Sequence, residues 1–104
     1  MQRICFLMDV IPGQESEYER RHAEIWPDLI EELRAAGVHN YTLFRRGTQV
    51  IAYAECHPDA ETAFGKVGAT EVNRRWAEWF EDTIEALVDE QGNLFRADEV
   101  WHLD

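Results

Sequence analysis

The sequence is that of a short, strongly acidic chain. It has 104 residues, with 21 acidic side chains against 10 basic ones and a net charge of −11 at pH 7. A chain this acidic, without a basic tract, repels the phosphates of nucleic acids and anionic membrane surfaces, so neither is an expected partner. The length predicts a single domain over residues 1–104, and the 45 % of hydrophobic residues supply enough apolar surface for it to fold.

No targeting or membrane segment is predicted. No apolar run approaches the roughly 18 residues that a transmembrane helix needs, and the first apolar run meets Asp9 too early for a signal peptide. Cys5 and Cys56 lie far apart in apolar runs, which indicates buried reduced thiols rather than a disulfide. These features predict a cytoplasmic protein. Because the chain has no CxxC, GxGxxG or GxxxxGK[ST] motif, we expect no cofactor. Because its four histidines include no HExxH motif, we expect no metal.

The first half of the chain predicts a strand, a broken helix and a hairpin. Residues 3–10 form an apolar run that Pro and Gly stop, which indicates a strand. Apolar residues recur at helical spacing over residues 14–36, and Pro27 predicts a break near residues 25–26 with a second helical segment beginning at the proline. Residues 38–46 and 49–56 are strand-like and only two residues apart, which predicts an antiparallel hairpin.

The second half predicts a short helical stretch, a long helix and a final strand. The short stretch covers residues 60–69. Thr70 then caps a helix that reaches about Val88, because an apolar stripe continues at helical spacing over that range. After a loop around residues 91–93, the last strand is predicted at residues 99–103.

This order of elements predicts an α+β fold of the ferredoxin-like βαββαβ type, with a four-stranded antiparallel sheet. Two long helices cover only one face of such a sheet, yet the strands carry apolar side chains on both faces. An uncovered apolar face on a small domain usually packs against another copy. We therefore expect a homodimer, in which two sheets meet as in a dimeric α/β barrel or the edge strands are exchanged.

The densest group of candidate functional residues lies on the first helix. Tyr18, His22 and Trp26 are four residues apart, so their side chains project from one face. A histidine with an ordinary pKa of about 6.5 can exchange protons near neutral pH. The structural alternative is a core histidine that hydrogen-bonds to Tyr18 or to a backbone carbonyl.

Other candidates lie on the hairpin and on the last helix. Strand alternation predicts Tyr41 and His39 on one face of the sheet, with Asn40 on the other. Trp76 and Trp79 are candidates for a sugar-stacking platform, although tryptophans on an amphipathic stripe usually belong to the core. These residues predict a pocket between helix and sheet for a neutral, hydroxyl-rich or aromatic small molecule. They do not select a reaction.

Three segments resemble a known family. Residues 17–29 read EYERRHAEIWPDL, residues 37–41 read GVHNY, and Arg75 precedes Trp76. Together with the length and the order of elements, they resemble the L-rhamnose mutarotases, a family of small dimeric ferredoxin-like enzymes without a cofactor. The first segment is long and specific, and the resemblance covers nearly the whole chain.

The resemblance implies roles for individual residues. His22 would be the proton donor, and Tyr18, Tyr41 and Trp76 would contact the sugar. Ala77 stands where the family usually has a second tryptophan, and the family's segment before the last strand is replaced at residues 89–95. Three further residues are expected to border the sugar contacts: Trp26, Trp79 and Ala77.

The implied reaction interconverts the α and β anomers of L-rhamnose or a related aldose. It needs one group to protonate the ring oxygen and another to remove the proton of the anomeric hydroxyl. The second proton-transfer group stays open among Tyr18, a carboxylate and an ordered water. Two alternatives also stay open: a dimeric-barrel monooxygenase or haem-type protein, and a non-catalytic sugar-binding relative.

Overall fold

The computed structural model describes residues 1–104, which form a four-stranded antiparallel sheet with four helices. The strand order across the sheet is β2-β3-β1-β4. In chain order the elements are β1 (Gln2–Asp9), α1 (Glu15–Ala23), α2 (Pro27–Ala36), β2 (Val38–Arg46), β3 (Gln49–Cys56), α3 (Ala60–Gly68), α4 (Glu71–Trp79) and β4 (Phe95–Ala97).

The core lies between the helices and one face of the sheet. Along β1 the side chains of Ile4, Phe6 and Met8 are buried, and so are the residues of β3 that pair with them. Phe6 is 2 % exposed and pairs with Ala52, which is fully buried. Because alternate side chains of a strand point to opposite faces, this pattern defines an inner face under the helices and an outer face away from them.

The break at Pro27 is confirmed. Helix α1 ends at Ala23, and α2 begins at Pro27, which occupies the first helical position where its missing N–H is not needed. The backbone N–H of Glu24 donates to the carbonyl of Arg21, and that of Ile25 donates to the carbonyl of His22. The break therefore lies directly after His22 and turns the chain at the end of the helix that carries it.

Gly37 ends α2 and joins it to the end of β3. Its φ of 102° is in the left-handed region, which favours glycine. Its carbonyl accepts a hydrogen bond from the backbone N–H of His57, at 2.9 Å. A Cβ atom at this position would collide with the carbonyl oxygen of His57. Both the conformation and the close approach therefore require glycine here.

The predicted helix from Thr70 to Val88 is too long, because α4 ends at Trp79. Thr70 caps it as predicted, since its side chain accepts a hydrogen bond from the backbone N–H of Asn73. Beyond the helix, the carbonyl of Thr83 accepts from Ile11 N–H at 2.8 Å, and Glu85 N–H donates to the carbonyl of Asp9 at 2.9 Å. Two backbone groups past Phe80 thus bond to the end of β1 and its following turn instead of continuing the helix.

The predicted last strand at residues 99–103 is also wrong. Strand β4 is Phe95–Ala97, and it pairs with residues 5–7 of β1. Val100 and Trp101 are 93 % and 77 % exposed. Strand-like composition is not sufficient for a strand, because the backbone must also find a pairing partner, and residues 99–103 have none.

The outer face of the sheet is apolar and partly open. Cys5, Leu7 and Ile51 lie on it and are half-buried, while Phe44 and Phe95 are 57 % and 43 % exposed. No helix covers these side chains. None of the helices is long and apolar enough to cross a membrane.

Candidate active site

Helix α1 presents Tyr18 and His22 toward the core. Tyr18 is 3 % exposed, and its ring centroid lies 4.4 Å from that of His22. The spacing of four residues places the two rings one helical turn apart on the same face. The predicted shared face is confirmed for these two residues, but Trp26, the third residue of the prediction, lies beyond the end of α1 at Ala23.

Helix α4 brings two further aromatic rings to His22. The ring centroid of Trp76 lies 5.4 Å from that of His22 in an edge-to-face arrangement, and the centroid of Phe80 lies 5.0 Å away. Phe80 also meets Tyr18 edge to face at 5.8 Å. The imidazole is therefore surrounded by aromatic carbon on three sides, a setting that disfavours its charged form.

Tyr41 reaches the same inner face because β2 is irregular. The pairing of β2 with β3 shifts register between His39 and Thr42, and Asn40 has a φ of 48°. Such a bulge inserts one residue and changes the alternation of side chains. Tyr41 consequently contacts Phe6 at 6.3 Å between ring centroids. The prediction that His39 and Tyr41 lie on the same face of the sheet is therefore wrong.

His39 lies instead on the outer side. It pairs in register with Glu55, and its ring centroid is 5.5 Å from that of His57. Asn40 donates from its side chain to the same Glu55, at 2.8 Å. The described residues contain no group of three or more His, Cys, Asp or Glu side chains that could hold a metal ion.

Trp26 and Trp79 form a stacked pair beside this cluster. Their ring centroids are 5.4 Å apart with an interplanar angle of 10°, and Trp76 meets Trp26 edge to face at 5.1 Å. Trp76 and Trp79 are themselves at 77° to one another, so they do not make the flat platform considered from the sequence. Ala77 is exposed on α4. Trp79 packs against Trp26 rather than against His22.

The cluster contains polar groups without a partner in the chain. The hydroxyl of Tyr18 is buried and makes no hydrogen bond. The hydroxyl of Tyr41 and Nε2 of His22 also make no hydrogen bond within the chain. The other ring nitrogen of His22, Nδ1, lies 2.9 Å from the carbonyl oxygen of Tyr18. Buried polar groups are almost always hydrogen-bonded, so an orphan hydroxyl indicates a place where a ligand completes the bonding.

Burial shifts the pKa values of these three groups. It lowers the pKa of His22, an effect partly offset by the hydrogen bond to the Tyr18 carbonyl. It raises the pKa of Tyr18 to about 12. The pKa of Tyr41 is raised as well, mainly by burial of its phenol and then by the nearby Tyr18, although the residue as a whole is 37 % exposed. Near neutral pH the site therefore holds a neutral imidazole and two protonated phenols.

Arg21 is the important residue that sequence reasoning missed. It is 7 % exposed, and its guanidinium donates to the carbonyl of Trp79, to Asp82 at 2.9 Å and to the hydroxyl of Thr83 at 2.8 Å. The guanidinium carbon also lies 5.1 Å from the ring of Trp79. Arg21 thus ties α1 to the end of α4. In the sequence Arg21 directly follows Arg20, and nothing in the local pattern distinguishes it from a charged residue on the solvent-exposed side of the helix.

The rings of Tyr18, Trp76 and Phe80 pack around His22 where the sequence predicts a pocket between helix and sheet. A surface cavity of about 510 Å³ lies near β4 and is lined by Arg3, Cys5, Tyr53 and Glu99 among others. A cavity of about 200 Å³ lies at the other end of β1, near Asp9 and Phe95. Neither includes any of the predicted site residues.

Known proteins match the chain along almost its whole length. The family model described as L-rhamnose mutarotase matches residues 3–103. The chain belongs to the L-rhamnose mutarotase family. An L-rhamnose mutarotase of Oceanobacillus iheyensis is 33 % identical over 106 residues, which cover 100 % of both chains. That of Escherichia coli O157:H7 is 32 % identical over 103 residues, 99 % of each chain.

A solved structure shows the same fold. The crystal structure of an L-rhamnose mutarotase from Formosa agariphila superposes with a TM-score of 0.81 at 22 % identity, and the match covers 100 % of both chains. The resemblance seen in residues 17–29 and 37–41 is thus confirmed at the level of the L-rhamnose mutarotase family. The individual roles of Tyr18, His22, Tyr41 and Trp76 remain predictions.

Proposed function

We propose that this chain interconverts the α and β anomers of L-rhamnose. The observation that carries the proposal is the cluster of unpartnered polar groups on Tyr18, Tyr41 and His22 within aromatic surroundings. Such a site suits a neutral molecule with several hydroxyl groups, which would complete the missing hydrogen bonds. The relatives that match over their full length are described as L-rhamnose mutarotases.

The proposed chemistry is general acid and base catalysis of ring opening. One group removes the proton of the anomeric hydroxyl while another protonates the ring oxygen, and the ring opens to the aldehyde. Rotation about the bond between C1 and C2, followed by the reverse proton transfers, gives the other anomer. We propose that His22 carries one of these proton transfers, that Tyr18 and Tyr41 bind hydroxyl groups, and that Trp76 packs against the sugar. Trp26, Trp79 and Ala77 would border these contacts.

Exchange spectroscopy tests this function directly. Saturation transfer between the two anomeric proton signals of L-rhamnose should show exchange that increases with the concentration of the protein. A panel of other aldoses measured in the same way would show which sugar is preferred. Exchange no faster than in buffer for every sugar would contradict the proposal. Sugar binding without faster exchange would instead identify a non-catalytic relative.

We also propose that the domain over residues 1–104 has the ferredoxin-like arrangement and forms a homodimer through its outer face. The four antiparallel strands in the order β2-β3-β1-β4 support the first statement. The exposed Phe44 and Phe95 on an uncovered apolar face support the second. Both cysteines are free, which is usual for a protein of a reducing compartment, so we place it in the cytoplasm.

The mass in solution tests the dimer. Sedimentation equilibrium should give twice the chain mass of 12.2 kDa for the unmodified protein. Phe44→Lys should give a monomer, because it introduces a charge into the apolar outer face while disturbing little in the single chain, where Phe44 is 57 % exposed. Ala35→Lys adds the same charge to an exposed position of α2 and should leave the dimer intact. A monomeric unmodified protein would contradict the proposal.

A further inference from the structure

The register shift in β2 inserts a single residue. His39 pairs with Glu55, and the next pair is Thr42 with Tyr53. Strand β2 thus advances by three positions, from 39 to 42, while β3 advances by two, from 55 to 53. Two residues of β2, at positions 40 and 41, therefore share the place opposite Ala54. This is the arrangement of a β-bulge.

The inserted residue decides which face Tyr41 occupies. Residues directly opposite one another in an antiparallel sheet point to the same side. In a regular register Tyr41 would lie opposite Tyr53, a residue of the outer face. With the bulge it shares the place opposite Ala54, which is fully buried on the inner face. Its ring then meets that of Phe64 edge to face, with 5.8 Å between the centroids. A change of one residue in register thus moves the phenol from one face to the other.

The backbone of the bulge restricts the residue at position 40. Asn40 is the one residue other than glycine that has a positive φ, at 48°. This left-handed conformation is strained for most side chains and worst for β-branched ones, whereas asparagine adopts it more readily. Glycine is the usual residue at the left-handed position of such bulges. Asparagine differs from glycine in that its amide can also form a hydrogen bond.

That amide is held from the outer side of the sheet. Nδ2 of Asn40 donates to Oε1 of Glu55 at 2.8 Å, and the hydroxyl of Tyr53 donates to Oε2 of the same carboxylate at 2.7 Å. The hydroxyl of Thr42 donates to the carbonyl of Asn40 at 3.3 Å. The hydrogen bonds from Asn40 and then from Tyr53 lower the pKa of Glu55, so this acceptor stays ionised at neutral pH. Side chains on both sides of the inserted residue therefore fix its conformation.

We propose that Asn40 is a positioning residue for sugar binding, because its left-handed conformation and its hydrogen bond to Glu55 hold the Tyr41 phenol on the inner face. This proposal rests on the proposed function, in which Tyr41 binds a hydroxyl group of the sugar. The hydrogen bond lies on the opposite side of the sheet from the aromatic cluster. Asn40 therefore acts on the sugar only through the placement of Tyr41.

Asn40→Val tests this placement. Valine is β-branched, so it disfavours a φ of 48°, and it cannot donate to Glu55. The bulge should be displaced, and the Tyr41 ring should leave its contact with Phe64. We expect KM for L-rhamnose to rise by about 3- to 10-fold, the usual effect of one lost hydrogen bond, with kcat within about twofold. Saturation transfer measured over a range of sugar concentrations gives both constants.

Two further variants separate conformation from composition. Asn40→Gly keeps the left-handed conformation but lacks the amide, so KM should rise less than in Asn40→Val. Gln49→Val is the matched control, because it also replaces an exposed amide by valine, on the neighbouring strand β3 and without a positive φ. It should leave KM and kcat unchanged. If Asn40→Val does not fold, Asn40→Ala replaces it in the comparison, since alanine is strained at this φ but is not β-branched.

A double variant tests whether Asn40 acts through Tyr41. Tyr41→Ala removes the ring whose placement is in question, so adding Asn40→Val to it should change KM no further. Effects of residues that act through one contact are not additive in this way, whereas independent effects multiply. A KM for the double variant equal to the product of the two separate increases would overturn the proposal.

NMR cross-relaxation between the ring protons of Tyr41 and Phe64 reports the placement without any sugar. The signal should be present in the unmodified protein and in Asn40→Gly, and lost in Asn40→Val. A signal retained in Asn40→Val, a lost signal at unchanged KM, equal KM in the glycine and valine variants, or a fall in kcat at unchanged KM would each overturn the positioning role while the mutarotase function stands. No anomeric exchange by the unmodified protein would overturn both.

Discussion

His22→Gln should lower the rate of anomeric exchange by about 10²- to 10⁴-fold, the usual contribution of one general acid or base. Glutamine keeps a polar side chain of similar reach but cannot take up a proton near neutral pH. His22 is the only histidine whose ring contacts the aromatic cluster, since His39 and His57 contact each other and His102 pairs with Asp104. Saturation-transfer NMR with L-rhamnose measures the loss.

The matched control for this variant is His39→Gln. His39 is exposed and contacts His57 rather than the cluster, so its loss should leave the exchange rate within about twofold of the unmodified protein. If His22→Gln and His39→Gln were equally active, His22 would not carry a proton in the reaction. If both lost activity together, the effect would come from the fold instead of the imidazole.

Arg21→Met should lower the free energy of unfolding by about 2 kcal/mol, within a range of about 1–3 kcal/mol. The substitution keeps a long side chain but removes the guanidinium. The carbonyl of Trp79 and the hydroxyl oxygen of Thr83 then each lose the hydrogen bond that they accept from Arg21. The ion pair itself contributes little to this figure, because the Asp82 side chain is 70 % exposed and stays hydrated when its partner is removed. The loss therefore comes mainly from buried polar groups.

Arg20→Met is the control, because it removes the neighbouring arginine from the solvent side of the same helix. Arg20 is 54 % exposed and pairs only with Glu17 and Glu24, so its loss should change the free energy of unfolding by less than about 0.5 kcal/mol. Urea denaturation at one fixed protein concentration measures both variants, since dimer formation would make the stability depend on concentration. Equal losses would contradict the assigned role of Arg21.

Much of the fold follows from local sequence features. The break between α1 and α2 was predicted correctly because Pro27 cannot continue a helix and its effect does not depend on distant residues. The hairpin of β2 and β3 was predicted from two strand-like runs separated by two residues. The shared face of Tyr18 and His22 follows from helical geometry alone.

Other features depend on contacts that no local pattern contains. The helix after Thr70 ends at Trp79 because the chain near Thr83 and Glu85 bonds to the end of β1 and its following turn, more than seventy residues earlier in sequence. The bulge at Asn40 turns Tyr41 to the inner face, away from His39. Regular strand alternation predicts instead that Tyr41 and His39 lie on the same face. In both places a long-range backbone interaction overrides the local preference.

The sequence by itself determined the family, the order of the elements as far as Trp79, and the group of candidate residues on α1, because all three depend on residue types at fixed spacing. Only the tertiary structure separated buried Arg21 from exposed Arg20. It alone showed that the Tyr18 hydroxyl has no partner and that Nδ1 of His22 faces a carbonyl. A hydrogen bond is a relation between two positions in space, so whether a polar group has one depends on the packing of the whole chain.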